Sequence, residues 1–305
     1  MKVRLLCVAG LTFTLVSLRS GSAAAAPAEQ RASVVRLEKT DKGYALLRNG
    51  KPYFIKGAGG DQRLEDLAAA GGNSIRTWGA DNLEGLLDRA HALGLTVTVG
   101  FWLGHRAHGF DYQDGDSVTR QFEDVRQYIL KYKDHPAVLM WAVGNEMEGI
   151  GGEGNNPAIW YAVNHIARMA KELDPNHPTM TVISEVGGKR IEYIHRYCPD
   201  VDIVGINSYG GIGSVVERYF KAGGTKPFVI TEFGPLGQWE VDKTSWGAPL
   251  ELTSTAKAEA YLAAYRAAVG AYPDQCLGSY VFVWGSKQEA TATWYGLFLK
   301  DGARL

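Results

Sequence analysis

The chain has 305 residues, of which 46% are hydrophobic and 21% are charged, and this composition excludes disordered and collagen-like proteins. Its 32 Lys and Arg residues almost balance 33 Asp and Glu residues, which leaves a formal charge of −1 with both signs interspersed. This charge distribution predicts neither a nucleic-acid partner nor an anionic membrane partner.

The first 28 residues have the order of segments found in a secretory signal peptide. A positive start with Lys2 and Arg4 precedes an apolar stretch over residues 5–18 and a small-residue cleavage region. We expect cleavage near residue 28, a single catalytic domain over residues 29–305, and a secreted or periplasmic location. No other stretch is apolar for long enough to predict a membrane span.

Two cysteines, Cys198 and Cys276, remain in the mature chain. Export makes a disulfide between them possible, but the burial habit of cysteine favours two buried free thiols. Three cysteines in the whole chain are too few and too scattered for a disulfide framework or a zinc site. The fold must therefore depend on its hydrophobic core.

The mature domain begins with a predicted β-hairpin, because two short apolar runs at residues 34–37 and 44–47 flank a Thr-Asp-Lys-Gly turn and precede Asn49-Gly50. After it, eight short runs rich in Val, Ile and Thr alternate with stretches of helical spacing. The eight runs lie at residues 53–57, 73–77, 96–102, 137–143, 179–183, 201–206, 227–231 and 277–283.

Glycine or proline ends each helical stretch just before the next buried run, as at Gly71-Gly72 and His135-Pro136. Eight strands with seven crossovers predict an α/β protein with a (β/α)₈ TIM barrel. An open doubly wound sheet is the alternative, but no Gly-x-Gly-x-x-Gly follows the first strand. Only 21 residues follow Trp284, and they resemble a hairpin, so we expect the eighth βα unit to lack its helix.

Polar or aromatic residues end nearly every predicted strand, and closure of a barrel would bring them around one pocket at its C-terminal face. In strand order they are Arg76 and Trp78, Trp102 and His105, Asn145 and Glu146, Glu185, Asn207 with Ser208 and Tyr209, Glu232, and Trp284.

Glu146 and Glu232 are the informative pair, because they end the fourth and seventh strands and can face each other across the mouth of a small barrel. Acetal cleavage needs two such carboxyls, one to protonate the leaving oxygen and one to attack or stabilise the anomeric carbon. The alternative is that each Glu merely pairs with a neighbouring Arg or Lys at a strand end. The narrow mouth predicts a short carboxyl separation of roughly 5 to 5.5 Å, which is typical of retaining enzymes.

Several sequence segments resemble motifs of a known protein family. Val143-Gly144-Asn145-Glu146 and Ile230-Thr231-Glu232-Phe233-Gly234 resemble glycoside hydrolase clan A, the retaining (β/α)₈ glycosidases. The approach to the first strand, residues 48–57, and the run over residues 131–146 are most similar to the catalytic barrel of glycoside hydrolase family 2. The resemblance covers about residues 44–290.

The resemblance implies a role for each matching residue. Glu146 would be the general acid/base and Glu232 the nucleophile. Asn145 would hydrogen-bond the sugar 2-hydroxyl, while Arg76 and Tyr209 would hold Glu232 ionised and oriented. Facing that negative charge, Glu146 is expected to have a raised pKa and to stay protonated until Glu232 becomes an ester.

Aromatic rings at the site face suggest a sugar ligand, since flat rings pack against the apolar faces of pyranoses. The candidates are Trp78, Trp102, Phe110, Tyr112, Trp239, Trp246 and Trp284. The resemblance implies that Trp284 forms the floor under the reacting sugar. Trp141 and Trp160 lie inside a strand and a helix and are expected in the core.

Two groups of side chains have a spacing that could bind a metal, but neither group matches a metal motif. They are His105 with His108 and Asp111, and Asp111 with Asp114 and Asp116. A sugar-binding or internally hydrogen-bonded loop is favoured there, so no metal and no cofactor are predicted. Three further acids, Glu148, Glu153 and Glu240, are expected to be solvated in loops, although Glu240 beside Trp239 could contact substrate.

These features predict a retaining β-glycosidase that acts on an oligo- or polysaccharide by double displacement. Transglycosylation on the same site, a non-catalytic carbohydrate-binding barrel and a barrel lyase are the alternatives. The sequence does not determine which sugar and linkage are cleaved, whether the action is endo or exo, or the oligomeric state.

Overall fold

The computed structural model describes residues 32–149 and 155–305. The predicted signal peptide and Glu153 lie outside the described residues. Within the described ranges, no helix is both long and apolar enough to cross a bilayer.

Eight parallel strands close into a barrel, in which strands that follow each other in the chain pair and the last strand pairs with the first. Their bounds are β4 Ile55–Gly59, β5 Ser74–Arg76, β6 Thr96–Phe101, β7 Val138–Asn145, β8 Thr179–Ser184, β9 Ile203–Asn207, β10 Phe228–Glu232 and β11 Cys276–Val281. Each strand overlaps one of the eight apolar runs, so the predicted TIM barrel is confirmed. The near-continuous burial of these strands explains why they read as apolar runs and not as alternating patterns.

A helix follows each of the first seven barrel strands. The helices are α1 Leu64–Ala69, α2 Leu83–Ala92, α3 Gly115–Tyr132, α4 Pro157–Leu173, α5 Arg190–Tyr197, α6 Val215–Lys221 and α7 Ser254–Tyr265, which continues as a π-helical turn over Arg266–Gly270. Residues 286–305 are all described and contain no helix, as expected. They instead fold back beside the end of β11, where Val283 N donates to Tyr295 O and Leu297 N donates to Val283 O.

The long helices begin at capping residues that the sequence supplies. The Asp114 side chain accepts from Asp116 N at the start of α3, and Asn156 accepts from Ala158 N at the start of α4, where Pro157 occupies the first turn. These caps satisfy backbone donors that would otherwise lack a partner, typically worth about 1 kcal/mol each. The Asp114 carboxylate is thus used within the loop, by Asp116 N and by the Ser117 hydroxyl, which agrees with the internally hydrogen-bonded alternative.

A small antiparallel sheet covers the N-terminal end of the barrel. It consists of β1 Val35–Lys39, β2 Tyr44–Arg48 and β3 Lys51–Pro52, so the predicted hairpin is present. Val35 and Leu46 pack into one cluster with barrel-interior residues such as Met140 and Met180. Side chains therefore fill this end of the barrel, and the C-terminal end is the one at which a site is expected.

The barrel interior is closed below the site by Tyr280. Its hydroxyl is 2.9 Å from Ser74 Oγ and 2.6 Å from Thr98 Oγ1. Its ring lies against Gly57, where an added Cβ would come within 2.3 Å of the ring. Glycine on β4 thus makes room for the ring of β11, and the side-chain hydroxyls of neighbouring strands satisfy the buried phenol.

The outer core lies between the barrel and its helices. Trp141 on β7 and Trp160 on α4 are fully buried there, as predicted, and the Trp141 indole donates to Asp174 Oδ2 at 2.8 Å. Cys198 and Cys276 are buried free thiols, so the disulfide alternative is wrong. Burial raises the pKa of each thiol to about 12.

Candidate active site

A pocket of about 520 Å³ opens at the C-terminal end of the barrel. It is lined by Trp78, Trp102, Asn145, Glu146, Tyr209, Glu232, Trp239, Phe282, Lys287, Glu289 and Tyr295. Barrel closure thus brings together residues that lie more than 200 positions apart in the sequence. Most of the predicted site residues line this pocket or lie directly behind it.

Glu232, at the end of β10, is held by three hydrogen-bond donors. Its Oε1 accepts from Arg76 Nη1 at 2.9 Å and from Trp78 Nε1 at 2.7 Å, and its Oε2 accepts from the Tyr209 hydroxyl at 2.9 Å. Glu232 is only 6% exposed. Three donors to one buried carboxylate fix both of its oxygens in place. Trp78, predicted as a sugar-stacking ring, therefore also orients Glu232.

Tyr209 is suited to donate and not to ionise. Burial and the adjacent Glu232 charge raise the pKa of the Tyr209 phenol well above its usual value. The phenol therefore keeps its proton across the working pH range and remains a donor to Glu232.

Glu146 follows β7 in a left-handed backbone conformation, with φ 51°. Two backbone hydrogen bonds hold this turn, one from Glu146 N to Val182 O at 2.9 Å and one from Gly149 N to Glu146 O at 2.9 Å. Such a conformation costs a non-glycine residue roughly 1–3 kcal/mol and is concentrated at functional sites.

The Glu146 carboxyl has a pKa raised to about 7. Burial is the main cause and the facing charge of Glu232 is the next, while a hydrogen bond from Asn207 Nδ2 to Glu146 Oε1, at 2.7 Å, opposes them. The predicted direction of this shift is confirmed. The two carboxyls therefore differ in a way that suits a proton donor facing an anion.

Asn145 and Asn207 are oriented by a buried network. Asn207 Oδ1 accepts from Thr231 Oγ1 at 2.8 Å, so its amide nitrogen faces Glu146. Asn145 Oδ1 accepts from Arg76 Nη2 at 2.5 Å and from Asn207 Nδ2 at 3.3 Å. The oxygen of Asn145 thus faces donors, which turns its Nδ2 group away from Arg76.

An aromatic cluster forms the wall beside Glu232, with Phe282 at its centre. The Phe282 ring makes edge-to-face contacts with Trp78, Tyr209 and Tyr295 at centroid distances of 5.7, 6.0 and 5.4 Å. Phe282 therefore lines the pocket just after the last strand, and Trp284, to which the resemblance assigned the floor, is not among the lining residues.

Trp284 itself does not line the pocket with Glu146 and Glu232. Its indole donates to Arg63 O at 3.0 Å, and its ring contacts Phe298. Trp284 lies three residues beyond Val281, the last residue of β11, so the alternation of the strand does not determine where its ring points. The expectation that Trp284 forms the floor of the pocket is therefore not met by its contacts.

His105 lies behind the pocket wall and not among the residues that line it. Its ring stacks on Trp102 at a centroid distance of 5.1 Å, and it lines an adjacent cavity with Tyr112 and Met147. Burial, and secondarily the nearby His108, lowers the pKa of His105. His105 thus supports Trp102 instead of reaching a ligand in this pocket.

The remaining aromatic candidates divide between the rim and the loops. Trp102 and Trp239 line the pocket and are 49% and 61% exposed, and Tyr209 contacts the Trp239 ring edge-on at 6.0 Å. Phe110 and Tyr112 pack on each other at 4.8 Å in a neighbouring loop. Trp246 is 80% exposed and does not line the pocket. In the described ranges, no three His, Cys, Asp or Glu side chains converge as a metal site.

Two loop acids have more defined roles than the sequence indicated. Glu148 is fully buried and not solvated, because its Oε1 accepts from Ser184 N and Oγ and lies 3.4 Å from Arg190 Nε. Burial raises the pKa of Glu148. It thereby ties the turn that carries Glu146 to the end of β8.

Glu240 is exposed, as predicted, but it also joins two loops of the site. Its carboxylate accepts from Gly210 N at 3.0 and 3.1 Å and from Gly237 N at 2.7 Å. A Cβ at Gly210 would lie 2.7 Å from Glu240 Oε1, so glycine permits this close approach. The contact holds the loop after Tyr209 against the loop that carries Trp239.

We expect Glu240→Gln to weaken this connection, since the amide carries no charge and has one accepting oxygen where the carboxylate has two. Unfolding should become easier by about 1 kcal/mol, and kcat/KM should fall by about tenfold through misplacement of Tyr209 and Trp239. Urea unfolding and steady-state kinetics measure the two effects. Glu259→Gln, an exposed change on α7, is the matched control and should alter neither.

A second expectation concerns stability and pH. The pKa of Glu146 is raised in the folded state, so protonated Glu146 favours folding. This contribution to the free energy of unfolding is complete below about pH 4.5 and is lost as pH rises through about 7. Glu146→Gln stays neutral, so it should be more stable than the parent by about 1–3 kcal/mol at pH 8.5 and similar to it at pH 4.5. Urea denaturation at both pH values tests this, and an equal difference at both would contradict it.

Sequence reasoning missed several residues of this pocket. Phe282, Tyr295, Lys287 and Glu289 come from the end of β11 and the segment after it, where the expected hairpin carried no recognised motif. Thr231, which orients Asn207, immediately precedes Glu232 and could have been found from the strand-end pattern.

Comparison with known proteins agrees with this geometry. Residues 86–237 match the family model described as glycosyl hydrolases family 2, TIM barrel domain. The β-glucuronidase of Sus scrofa is 27% identical over 224 residues, which covers 62% of this chain and 32% of that protein. A Paenibacillus borealis β-glucuronidase is 25% identical over 231 residues, or 63% and 37% of the two chains. This chain thus spans about a third of the length of these relatives.

Solved structures share the fold. A β-D-glucuronidase from Dictyoglomus thermophilum matches with a TM-score of 0.68 at 20% identity, over 89% of this chain and 51% of that chain. A β-galacturonidase from Eisenbergiella tayi, bound to galacturonate, matches with a TM-score of 0.68 at 18% identity, over 89% and 52%. The matched family model, which spans both strand-end glutamates, assigns residues 86–237 to the glycosyl hydrolases family 2 TIM barrel domain, and the solved structures show the same fold.

Proposed function

We propose that this protein is a retaining β-glycosidase that cleaves a β-linked glycan without a cofactor. The observation that carries the proposal is the contrast between its two facing carboxyls. Glu232 accepts from Arg76, Trp78 and Tyr209, whereas Glu146 has a pKa raised to about 7. One group is prepared to act as an anion and the other to carry a proton.

In the first step, Glu146 protonates the glycosidic oxygen while a Glu232 oxygen attacks the anomeric carbon. The bond from that carbon to the leaving oxygen breaks, and the sugar becomes an ester of Glu232. The three donors around Glu232 place its oxygen for attack, so little reorganisation is needed at the moment of reaction.

In the second step, a water replaces the departed group. The Glu232 charge has disappeared in the ester, so the pKa of Glu146 falls and the carboxylate accepts a proton from the water. The water oxygen bonds to the anomeric carbon as the ester bond breaks, and Glu232 recovers its charge. Two displacements at one carbon restore the original anomeric configuration.

Asn145 suits recognition of the sugar beside the reacting carbon. Its oxygen is occupied by Arg76 and Asn207, so its Nδ2 group is the part that can meet a sugar hydroxyl. The exposed rings of Trp102 and Trp239 at the rim provide flat apolar surfaces for further sugar units.

Transglycosylation is the second candidate, because those two rim rings could hold an acceptor glycan in place of water. The same covalent ester would then pass to a sugar hydroxyl. The two outcomes differ in product length: hydrolysis yields shorter glycans only, and transfer also yields longer ones.

The test is to incubate the protein with β-glucans, β-mannans and β-galactans, and to follow the products by proton NMR and chromatography. We expect one of them to be cleaved and the β-anomer to appear first. An α-anomer first would refute the covalent mechanism and leave the glycosidase assignment standing. No cleavage of any β-glycoside would contradict the proposal itself.

We also propose that the protein is exported and that its signal peptide is removed, on the order of charged, apolar and small residues over residues 1–28. Mass spectrometry of the exported protein should show an N-terminus near Pro27 or Glu29. Recovery with Met1 intact would contradict this.

A further inference from the structure

A lysine and a glutamate from the segment after β11 lie together in the wall of the catalytic pocket. Lys287 Nζ is 3.2 Å from Glu289 Oε2, and their side chains are 41% and 33% exposed. The mechanism above uses neither residue. Both are nonetheless placed where they can meet a sugar bound between Glu146 and Glu232.

The pair is held in position from both sides. Lys287 Nζ lies 4.9 Å from the centre of the Phe282 ring, the same ring that contacts Trp78 and Tyr209. Glu289 is fixed by two backbone hydrogen bonds with Thr291, at 3.1 and 2.7 Å. The two groups are thus part of the pocket wall and not a loosely attached surface pair.

The charges of the pocket are already matched. Arg76 is used by Glu232 and Asn145, and Lys287 is used by Glu289. To pair with Lys287, a sugar carboxylate would have to compete with Glu289 and would lie close to this like charge. A neutral sugar meets no such opposition.

We propose that Lys287 and Glu289 form a hydroxyl-recognising pair that selects neutral β-glycosides over β-uronides. An ammonium donates and a carboxylate accepts, so together they match two neighbouring sugar hydroxyls. The inference rests on the proposed glycosidase function and specifies its substrate class. It separates this chain from the relatives named as β-glucuronidases, of which it spans about a third.

The first test compares kcat/KM for matched 4-nitrophenyl substrates, β-glucoside with β-glucuronide and β-galactoside with β-galacturonide. We expect the better neutral member to exceed its uronide by at least about tenfold. Glu289→Gln removes the carboxylate and leaves the Lys287 charge, so it should shift this ratio towards the uronide by about tenfold. Lys287→Met should lower kcat/KM for the neutral substrate.

The matched control is Glu84→Gln. Glu84 on α2 pairs with Lys131 on α3 at 3.0 Å, which reproduces the Lys–Glu pairing away from the pocket. The substrate ratio should be unchanged in this variant. An equal shift in Glu84→Gln would show that the ratio responds to overall charge, and this would overturn the role of the pair.

The second test measures binding without turnover. Saturation-transfer NMR on Glu146→Gln protein with the methyl β-glycosides of the same pairs should give stronger signals for a neutral member than for its uronide. Equal or stronger uronide signals would overturn the inference while leaving the glycosidase function intact. If no β-glycoside, neutral or uronide, binds and none is cleaved, both the inference and the proposed function fail.

Discussion

Replacing Glu232 by Ala should lower kcat by roughly 10⁴-fold or more, because no other group in the pocket is placed to form the ester. The smaller side chain leaves space in which an added azide anion can reach the anomeric carbon. With an activated aryl glycoside, azide should restore activity and yield the α-glycosyl azide, since attack occurs once from the face that Glu232 has vacated. Product NMR identifies the anomer.

Glu185→Ala is the matched control for that variant. Glu185 also follows a barrel strand in a left-handed conformation, with φ 65°, but its carboxylate pairs with Arg218 at 3.0 Å and does not line the pocket. It is a strand-end glutamate whose carboxylate is used by a neighbouring cation and by the Ser208 hydroxyl, which donates to it at 3.0 Å. We expect a loss below about tenfold and no azide product. Comparable losses in both variants would assign Glu232 the same structural role.

Glu146→Gln should separate substrates by how much their leaving group needs a proton. For an unactivated glycan, the rate of the first step should fall by about 10²- to 10⁴-fold, the usual contribution of a general acid. For a dinitrophenyl glycoside, whose leaving group departs as the anion, kcat/KM should be nearly retained. Initial rates across a series of aryl glycosides measure this difference.

The pH dependence of kcat/KM is an independent test of Glu146 as the general acid. Since the pKa of Glu146 is raised to about 7, the proton donor is lost above that pH and kcat/KM of the parent should decline on the alkaline side near pH 7. In Glu146→Gln, with the dinitrophenyl substrate, this alkaline decline should disappear. Its persistence would remove Glu146 from the role of general acid.

Asn207→Ala should move that alkaline limb. The hydrogen bond from Asn207 lowers the pKa of Glu146 against the effects of burial and of Glu232, so its loss should shift the limb upward. A downward shift would mean that Asn207 acts on Glu146 through something other than this bond.

The barrel was predictable because its signals are local. A strand buried on both faces reads as a short apolar run, and each helix ends at a glycine or proline before the next run. Glu146 and Glu232 were found for the same reason, since each ends a recognisable strand and barrel closure alone brings strand ends to one mouth. Glu148 was misjudged because nothing adjacent to it in sequence shows that Ser184 and Arg190 would enclose it.

What the sequence by itself determined is therefore the alternation of strands and helices and the identity of the two facing carboxyls. Only the tertiary structure decided that Phe282 and not Trp284 faces the pocket, that Trp78 donates to Glu232, and that the pair of Lys287 and Glu289 joins the wall. Strand periodicity assigns a face only while the strand lasts. Beyond Val281 the path of the chain depends on contacts with distant segments, such as the bond from Trp284 N to Gly59 O, and such contacts exist only once the barrel has closed.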